Sequence, residues 1–450
     1  MPRPPPASQA SQAPLADDSP WLNSQQAAAV LGVQRASLYS YVSRGLLRAQ
    51  SQPGQRGHVY ARADVQRLAS QRQSVRNPAR LAQSTLDWGT PVLASAITQV
   101  EDGQLYYRGH SAVALAAHAS LEEVATLLWD QKEPLALDTK APNALKTIAN
   151  IATPRMPAQA LSAWFGGVEA LAPETEHAAL WPLALLQHMA EVLTGQPVAG
   201  AVQHLRLLQK TKCLRPLHVG LGQIWQTNAA HTDILRQALV LCADHELNAS
   251  SFAARVVAST GASLHASVGA GLAALSGLLH GGMTGVIASH WEDWHRAGRQ
   301  GLAPSLSALL ANTRRGTTPH YCAGFGHPLY PAGDPRSLHL LGLLASDTAS
   351  DTASDAAREQ LLRQVYSDTG LHPSLDYALV AIQRSLGLPA GAAFVLFALG
   401  RTAGWIAHAL EQRAGGQLIR PRARYVGQPP ARHSDAYAAA RPSGQRIIRF

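Results

Sequence analysis

Apolar residues recur every three or four positions along most of the chain after about residue 84, as they do in helices that bury one face. Seven Ala- and Leu-rich stretches carry this pattern, over residues 121–128, 178–193, 234–241, 263–279, 305–311, 375–386 and 392–412. Alternating β-branched residues are rare outside 92–100, and a small hairpin is predicted to end at 105–109. The pattern therefore predicts a mainly α-helical fold.

A more compact pattern occupies residues 21–71. Ser24 is predicted to cap a helix over 25–31 that ends at Gly32, and a second helix is predicted over 35–43. Four further elements are predicted: an extended piece at 46–47, a turn over 52–57, a return strand at 58–60 and a last helix over about 63–71. Two helices followed by a hairpin are typical of a winged helix-turn-helix.

The segment from Leu22 to Leu68 resembles the winged DNA-binding domain of the MerR and excisionase families. The resemblance rests on Ala-Ala-Val-Leu-Gly-Val-Gln-Arg-Ala-Ser-Leu-Tyr-Ser-Tyr-Val-Ser-Arg-Gly-Leu-Leu. It implies major-groove contacts by Arg35, Ser37 and Ser40, and phosphate contacts by Arg44, Arg56 and His58. Two interpretations stay open: DNA binding, and a retained module that caps or spaces the protein without binding.

Charge distinguishes this N-terminal part from the remainder. Of the net charge of +9, residues 1–83 hold +7, from ten arginines and three aspartates. This asymmetry predicts an anionic partner for the N-terminal segment only. Residues 1–20, rich in Pro, Ala, Ser and Gln, are expected to be a disordered tail, and 72–83 a linker.

The remaining composition indicates a soluble cytoplasmic protein. The chain of 450 residues is long enough for at least two structural units. Its three cysteines, Cys213, Cys242 and Cys322, lack the spacing of metal sites and fit a reducing compartment. No secretory signal is recognised at the N-terminus, and Arg401 interrupts the most membrane-like stretch, 394–408. No membrane association is expected.

Three histidines lie in short segments marked by glycines or acidic residues. They are His245 in Ala-Asp-His-Glu-Leu-Asn-Ala-Ser, His280 in Leu-Leu-His-Gly-Gly and His327 in Gly-Phe-Gly-His-Pro-Leu-Tyr-Pro. Their wide separation disfavours a metal site, and together they indicate polarisation of a carbonyl group. Taken alone, each of them is more readily interpreted as a structural histidine bonded to backbone. Asp244 and Glu246 are expected to hold His245 in its cationic form.

Four charged residues in apolar surroundings extend this set. Asp376, at the start of a predicted helix, is either a structural carboxylate or a general base. Arg401 lies inside an apolar helix and needs an anion, which is either a protein carboxylate or a carboxylated substrate. Arg336 in Gly-Asp-Pro-Arg and Arg420 in Leu-Ile-Arg-Pro-Arg are further candidates for binding an anion.

Together these segments resemble citrate synthase from about Leu86 to Gly427, because several motifs occur in the same order with similar spacing. The motifs are Tyr-Arg-Gly-His (107–110), Leu-Glu-Glu-Val-Ala-Thr-Leu-Leu-Trp (121–129), Ala-Asp-His-Glu-Leu-Asn-Ala-Ser (243–250), Ala-Leu-Ser-Gly-Leu-Leu-His-Gly-Gly (274–282), Gly-Phe-Gly-His (324–327), Asp-Pro-Arg (334–336), Leu-Asp-Tyr (375–377), Gly-Arg-Thr-Ala-Gly-Trp-Ile-Ala-His (400–408) and Ile-Arg-Pro-Arg (419–422).

The resemblance implies the condensation of acetyl-CoA with oxaloacetate, followed by hydrolysis of citryl-CoA to citrate and CoA. Asp376 would remove a proton from the acetyl group, His280 would hold the thioester oxygen, and His327 would polarise the ketone. The two carboxylates of oxaloacetate would be bound by Arg336, Arg401 and Arg420, with a further contact from His245. No metal or prosthetic group is implied as a cofactor, since acetyl-CoA is a substrate.

The resemblance also implies an architecture. The citrate synthase-like domain would span 84–450, with a small helical subdomain over approximately 284–386 that closes on a larger one. A homodimer is implied, in which Arg420 reaches the active site of the other subunit.

The chain departs from the family pattern in three places. Many members carry a basic residue about four positions after the histidine matching His327, where it meets CoA phosphates; this chain has Pro-Leu-Tyr-Pro-Ala, so Arg314 and Arg315 are candidate substitutes. Cys242 replaces a common histidine, and the winged domain is additional. Two other functions stay open: a 2-methylcitrate synthase that uses propionyl-CoA, and a DNA-binding regulator whose citrate synthase-like domain senses metabolites.

Overall fold

A computed structural model describes the chain over residues 21–43, 47, 49–51, 58–62, 64–66, 68–69, 93–131, 136–140, 153–166, 180–196, 201–211, 213–297, 302–314, 324–347, 352–421 and 425–427. The chain divides into two compact units, 1–95 and 96–450. The predicted tail over 1–20 and linker over 72–83 lie outside the described residues. The small subdomain over about 284–386 stays a prediction.

The first unit is a small three-stranded sheet with helices beside it. Its elements are β1 Trp21–Asn23, α1 Ser24–Leu31, α2 Arg35–Ser43, β2 Ala49–Ser51 and β3 His58–Ala61. The strands are antiparallel in the order β1-β3-β2, and residues 64–66 and 68–69 are helical. Its core is apolar and comprises Leu22, Ala27, Ala28, Leu31, Leu38, Leu47, Tyr60, Val65 and Leu68. The predicted pair of helices and the return strand are confirmed.

Two local predictions for this unit are wrong. The N-cap of α1 is Asn23, not Ser24: Asn23 Oδ1 accepts hydrogen bonds from the backbone N–H groups of Gln25 and Gln26, at 3.0 and 2.9 Å. The extended piece expected at 46–47 is not found at Leu47, which lies in a bend and is buried in the core; Leu46 lies outside the described residues, and the strand begins at Ala49. The strand β1 was not predicted, since three residues are too few for an alternating pattern.

The second unit opens with an antiparallel sheet of three short strands, β4 Thr98–Glu101, β5 Gln104–Tyr107 and β6 His110–Ser111. Asp102 and Gly103 connect β4 to β5, and both have positive φ, of 50° and 73°. Two successive left-handed residues match the right-handed twist of the flanking strands in a hairpin. The predicted small hairpin is therefore confirmed.

In the described part of this unit the remaining regular elements are helices, which confirms the prediction of a mainly α-helical fold. They are α3 Ala112–His118, α4 Leu121–Leu128, α5 Pro157–Gly166, α6 Trp181–Leu193, α7 Ala201–Thr211, α8 Leu217–Ile224, α9 Ala229–Cys242, α10 Ala249–Ser259, α11 Leu264–Leu275, α12 Met283–Ala297, α13 Pro304–Arg314, α14 Pro335–Ser346, α15 Thr352–Thr369, α16 Leu375–Ser385 and α17 Ala392–Gly415.

The helix α11 is shorter than its apolar pattern predicts. The pattern continues to Leu279, but the helix ends at Leu275 and residues 276–282 form turns. Leu278 and Leu279 are 66% and 87% exposed, so they extend the pattern without belonging to the core. The consequence is a compact corner between α11 and α12 that carries His280.

The central helix of the second unit is α17. It packs against α4, α6, α9, α10, α11 and α16, and almost all of its residues are buried. Within the described chain it is the one helix long and apolar enough to cross a membrane, but 94% of its most apolar window is buried inside the protein. That burial is what the central helix of a helical core shows.

Two glycines let α17 approach the end of α9 closely. A Cβ atom at Gly404 would lie 2.3 Å from Asp244 Oδ1 and 2.5 Å from Ala243 O, and one at Gly400 would lie 2.6 Å from Cys242 Cβ. The Gly404 N–H donates a hydrogen bond of 2.9 Å to Ala243 O. Only glycine permits this separation, which brings Arg401 against the segment that carries His245.

Candidate active site

A cavity of about 310 Å³, including its open mouth, is formed where five segments of the second unit meet. They are the α9–α10 connection, the α11–α12 corner, the segment before α14, the start of α16 and the middle of α17. The lining residues are His245, Asn248, His280, His327, Asp334, Arg336, Ser374, Leu375, Asp376, Phe397 and Arg401. The structure thus brings together His245, His280, His327, Arg336, Asp376 and Arg401, as the sequence predicts.

Asp376 lies in the first turn of α16 and is 5% exposed. Its Oδ2 accepts a hydrogen bond of 3.4 Å from Ser374 Oγ, while within the described structure its Oδ1 has no hydrogen-bond partner. Burial raises the pKa of Asp376 to about 6, although Arg336 opposes that rise. A carboxylate with one unbonded oxygen and a raised pKa is suited to accept a proton from carbon.

His280 is held by the first turn of α10. Its Nε2 lies 2.9 Å from Ser250 Oγ and 3.3 Å from Asn248 Oδ1, and its ring meets Phe397 edge-on. Burial, and secondly Arg401, lowers the pKa of His280 to about 3, so the ring is neutral near pH 7. The Ser250 hydroxyl donates to Asn248 Oδ1 at 2.7 Å, so its single proton reaches Nε2 only when the hydroxyl turns away from Asn248. In that arrangement the ring proton of His280 lies on Nδ1, and this N–H becomes available to a carbonyl oxygen.

His327 begins the segment that leads to α14. Its Nδ1 accepts a hydrogen bond of 3.2 Å from the Leu329 backbone N–H, so the ring proton of the neutral form lies on Nε2. Its ring lies edge-on to His245, with centroids 4.9 Å apart. The two imidazoles therefore form one wall of the cavity, with the Nε2–H of His327 as a donor.

His245 is neutral, so the expectation of a cationic ring is wrong. Burial, and secondly Arg336, lowers the pKa of His245 well below its usual value. The neighbouring carboxylates are engaged elsewhere: Asp244 accepts from Thr98 and His408, and Glu246 Oε1 accepts from the Val100 N–H at 2.9 Å. The partner of His245 is instead Tyr330, whose hydroxyl shares a hydrogen bond of 2.9 Å with Nε2.

The two arginines of the cavity are held differently. Arg336 forms a bidentate pair with Asp334, donating from Nε to Oδ1 at 2.9 Å and from Nη2 to Oδ2 at 2.7 Å. Arg401 is 1% exposed and donates from Nε to Cys242 O at 2.9 Å. Among the described residues no carboxylate lies within ion-pair distance of Arg401, so the ion pair considered from the sequence is not observed. A buried cation without a paired anion favours an anionic ligand.

Sequence reasoning missed a buried network beside His245. Asp244 Oδ2 accepts from Thr98 Oγ1 at 2.6 Å and from His408 Nε2 at 3.2 Å, while Arg255 donates to His408 Nδ1 at 3.2 Å. Burial alone would raise the pKa of Asp244, but His408 and these hydrogen bonds hold it below its usual range. The motif Ala-Asp-His-Glu marked Asp244, but its partners lie up to 164 residues away in sequence.

Asn248 was also missed, although it joins two of the histidines. Its Nδ2 donates to His245 O at 3.1 Å, and its Oδ1 accepts from the Ser250 and Ser251 N–H groups as the N-cap of α10. The same Oδ1 lies 3.3 Å from His280 Nε2. The sequence signal for this role was an asparagine shortly after His245, because Asn is a preferred N-cap.

Of three further predicted contacts, one lies away from the cavity and two are not described. Arg420 is exposed, does not line the cavity, and follows Ile419, whose N–H donates to Ser259 Oγ at 3.2 Å. The helix α13 ends at Arg314, whose side chain lies outside the described residues, as does all of Arg315. Over the ranges that the structure describes, no three His, Cys, Asp or Glu side chains are grouped closely enough to hold a metal ion.

The predicted DNA-contacting residues belong to the first unit and are partly described. Arg35 and Ser40 are exposed on α2, Ser37 is half-buried, and Ser40 Oγ donates to Ser37 O at 2.9 Å. His58 is exposed and meets Tyr39 edge-on, with ring centroids 6.3 Å apart. Arg44 and Arg56 lie outside the described residues.

Comparison with known families matches both units. Residues 85–422 match the family model described as "Citrate synthase, C-terminal domain", and residues 21–73 match a helix-turn-helix domain model. "Citrate synthase 2" of Bacillus subtilis is 28% identical over 366 residues, covering 75% of this chain and 94% of that protein. The "2-methylcitrate synthase" of Mycobacterium tuberculosis H37Rv is 29% identical over 370 residues, covering 75% and 89%.

Solved structures show the same fold. Citrate synthase from Thermotoga maritima has a TM-score of 0.54 at 23% identity, covering 79% of this chain and 98% of that one. Citrate synthase from Thermoplasma acidophilum, in a ternary complex with carboxymethyl coenzyme A and oxaloacetate, has a TM-score of 0.58 at 22% identity, covering 79% and 99%. Since the family model alone spans most of the sequence, the chain belongs to the citrate synthase family, as a citrate synthase-type enzyme with an N-terminal helix-turn-helix domain.

Proposed function

We propose that the protein condenses acetyl-CoA with oxaloacetate and hydrolyses the resulting citryl-CoA to citrate and CoA. The observation that carries this proposal is the buried Asp376, whose unpaired Oδ1 and pKa of about 6 occur in one cavity with His280 and His327. The complex of the Thermoplasma enzyme with oxaloacetate and a CoA analogue supports the same substrate pair.

In the first step Asp376 takes a proton from the acetyl methyl group, and the C–H electron pair moves towards the thioester oxygen. A proton on carbon is weakly acidic, so the developing charge needs a donor at that oxygen. His280 supplies it through Nδ1–H, which requires the Ser250 hydroxyl to turn from Asn248 Oδ1, 2.7 Å away, to His280 Nε2, 2.9 Å away. As a neutral imidazole, His280 stabilises the enolate by hydrogen bonding without first losing a proton.

In the second step the enol carbon attacks the ketone carbon of oxaloacetate. His327 Nε2–H polarises the ketone oxygen and protonates the alkoxide that forms. Arg336 and Arg401 bind the two carboxylates, and His245 adds a further contact. Water then cleaves the thioester, releasing citrate and CoA, and closure of the cavity during condensation delays that water.

No metal or prosthetic group takes part in the proposed reaction, which we place in the cytoplasm. Propionyl-CoA, the substrate of a 2-methylcitrate synthase, is the competing acyl donor, because relatives of both names are similar to this chain. One methylene group contributes about 1–3 kcal/mol to discrimination. We further propose a homodimer in which Arg420 completes the active site of the other subunit, and CoA contacts by Arg314 and Arg315.

DNA binding by residues 21–71 is a second candidate function, compatible with catalysis by the second unit. It is favoured by the exposed positions of Arg35 and Ser40 on α2, next to the exposed Tyr39. An arginine and hydroxyl groups on the second helix of a helix-turn-helix are suited to base edges and phosphates. The excess positive charge of residues 1–83 supports an anionic partner.

The first prediction concerns activity. The protein should release CoA from acetyl-CoA only when oxaloacetate is present, and Asp376→Ala or His280→Ala should lower kcat by about 100-fold or more, as expected for loss of a general base or an oxyanion donor. Release of CoA is followed with a thiol reagent. Phe165→Ala, an exposed change outside the cavity, is the matched control. An unchanged rate in either active-site variant contradicts these roles, and propionyl-CoA in parallel assays decides the preferred acyl group.

The second prediction concerns pH. Asp376 must be ionised to act as a base, so kcat/KM for acetyl-CoA should fall as pH drops through about 6, by about tenfold for each further pH unit. His280 adds no limb in this range, because its pKa is about 3. Rates at constant ionic strength across this range test it. A limb near pH 4, as for an exposed aspartate, would be the contrary result.

The third prediction concerns the subunits. Arg420→Ala and Asp376→Ala proteins should each be inactive, whereas hetero-oligomers of the two should regain part of the activity. One site of each mixed dimer then combines an intact Asp376 with an intact Arg420 from the other chain. Differently tagged chains, co-expressed and purified through both tags, supply the sample. Folded hetero-oligomers that stay inactive would rule out the shared site.

The fourth prediction concerns DNA. The full chain should bind a labelled duplex, with an affinity that falls steeply as salt rises, and Arg35→Ala should weaken that binding. Arg363→Ala, which removes a side chain that is 72% exposed in the second unit, is the matched control. Fluorescence anisotropy measures both. If the full chain does not bind a pool of random duplexes at low salt, the prediction of DNA binding is wrong and the helix-turn-helix unit acts as a spacer.

A further inference from the structure

Tyr330 lies directly behind the cavity, and no step of the proposed reaction uses it. It is 2% exposed and does not line the cavity, yet its side chain touches three groups that do. Its hydroxyl shares the 2.9 Å hydrogen bond with His245 Nε2, and its ring centroid lies 4.8 Å from that of His327. The same ring lies 5.4 Å from the guanidinium carbon of Arg336. The side chain of Tyr330 therefore contacts His245, His327 and Arg336 at the same time.

Two consecutive turns hold Tyr330 in this position. The Tyr330 N–H donates to His327 O at 2.9 Å, and the Gly333 N–H donates to Tyr330 O at 3.0 Å. Proline is the second residue of both turns, as Pro328 and as Pro331, where its fixed φ is already that of the turn. Gly333 ends the second turn with a φ of 114°, which only glycine adopts readily.

The contacts of Tyr330 have distinct physical effects. Burial raises the pKa of the hydroxyl, which therefore stays protonated and can act as donor or acceptor to the neutral His245 ring. The face of a phenol ring attracts a guanidinium, and Asp334 holds that guanidinium from another direction through two hydrogen bonds. An imidazole ring with one nitrogen hydrogen-bonded and its neighbours packed is held in one orientation.

We infer that Tyr330 is a positioning residue for the oxaloacetate half of the site, which orients His245, His327 and Arg336 before the keto acid binds. This inference rests on the proposed function. The inference also assigns a role to the segment after His327, which has no basic residue to contact CoA phosphates. Its two prolines hold the ring of Tyr330 against the keto-acid site. Orientation in advance lowers the entropy that the ligand must lose on binding.

Two substitutions separate the hydroxyl from the ring. Tyr330→Phe keeps the ring and removes only the hydrogen bond to His245, so the Kd for oxaloacetate without acyl-CoA should rise about tenfold, the scale of one buried hydrogen bond. Tyr330→Leu also removes the support of His327 and Arg336, so its Kd should rise further and its kcat should fall. The KM for acyl-CoA should stay within about twofold of the parent in the Phe variant.

The matched control is Tyr377→Phe. Tyr377 is also buried, but its hydroxyl shares a hydrogen bond of 3.0 Å with His295 and, within the described residues, bonds to none of His245, His327, Arg336 and Arg401. Its loss should leave the Kd for oxaloacetate unchanged. Calorimetric titration with oxaloacetate measures binding, CoA release measures turnover, and thermal unfolding checks that each variant is folded.

A double-mutant cycle tests the route of the effect. If the hydroxyl acts through His245, Tyr330→Phe should add little to the loss caused by His245→Ala, since both remove the same hydrogen bond. Full additivity of the two losses would overturn the inference. So would an oxaloacetate Kd within about twofold of the parent in both Tyr330 variants, or a fall in kcat alone.

The parent protein distinguishes the two levels of the argument. If the parent neither binds oxaloacetate nor releases CoA with it, the proposed function fails, and the inference built on it fails with it. If the parent does both while the Tyr330 variants behave as the parent does, only the role of Tyr330 is wrong.

Discussion

The contact between α17 and the end of α9 is the constraint on which the site depends. Gly400 and Gly404 remove the side chains that would hold the two helices apart, and the Gly404 N–H bonds directly to Ala243 O. Close approach then places the Arg401 guanidinium on Cys242 O, two residues before the buried Asp244. The segment that carries His245 is therefore fixed from one side by helix backbone and from the other by the Asp244 network.

Burial decides the charge state of nearly every group in the cavity. It keeps His245 and His280 neutral and keeps Asp376 partly protonated near pH 6, while the two arginines stay cationic. Neutral donors surrounded by fixed cations suit a substrate that brings its own negative charges. The nearby cation of Arg336 lowers the pKa of His245 further, and that of Arg401 lowers the pKa of His280 further.

The chemistry of the site could be predicted from the sequence to a greater extent than its electrostatics. His280, His327, Asp376, Arg336 and Arg401 lie in ordered motifs, and the structure gathers them in one cavity. The charge of His245 could not be predicted, because the carboxylates beside it in sequence bond to β4, about 146 residues earlier. Tyr330 was not predicted as a functional residue. The segment after His327 was interpreted by its lack of a basic residue, whereas its role comes from the two turns that hold Tyr330.

The helices were predicted well where apolar residues face a core, and poorly at their ends. The pattern of 121–128 reproduces α4, whereas the leucines at 278–279 extended α11 past its true end. An apolar residue in an exposed turn looks, in sequence, the same as one in a core. The N-cap of α1 shows the same limit, because Asn23 and Ser24 are both good caps and only the backbone distinguishes them.

The burial of Asp376 makes the resting enzyme less stable at the pH where the base is ionised. Its pKa is raised from an ordinary 3.8 to about 6, so the native chain binds this proton more tightly than the unfolded chain. That contribution to stability is complete below about pH 4 and is lost as pH rises through 6, a difference of about 3 kcal/mol. Near pH 7 the fold therefore holds an ionised carboxylate at a cost in stability, and the same burial makes Asp376 a stronger base than an exposed aspartate.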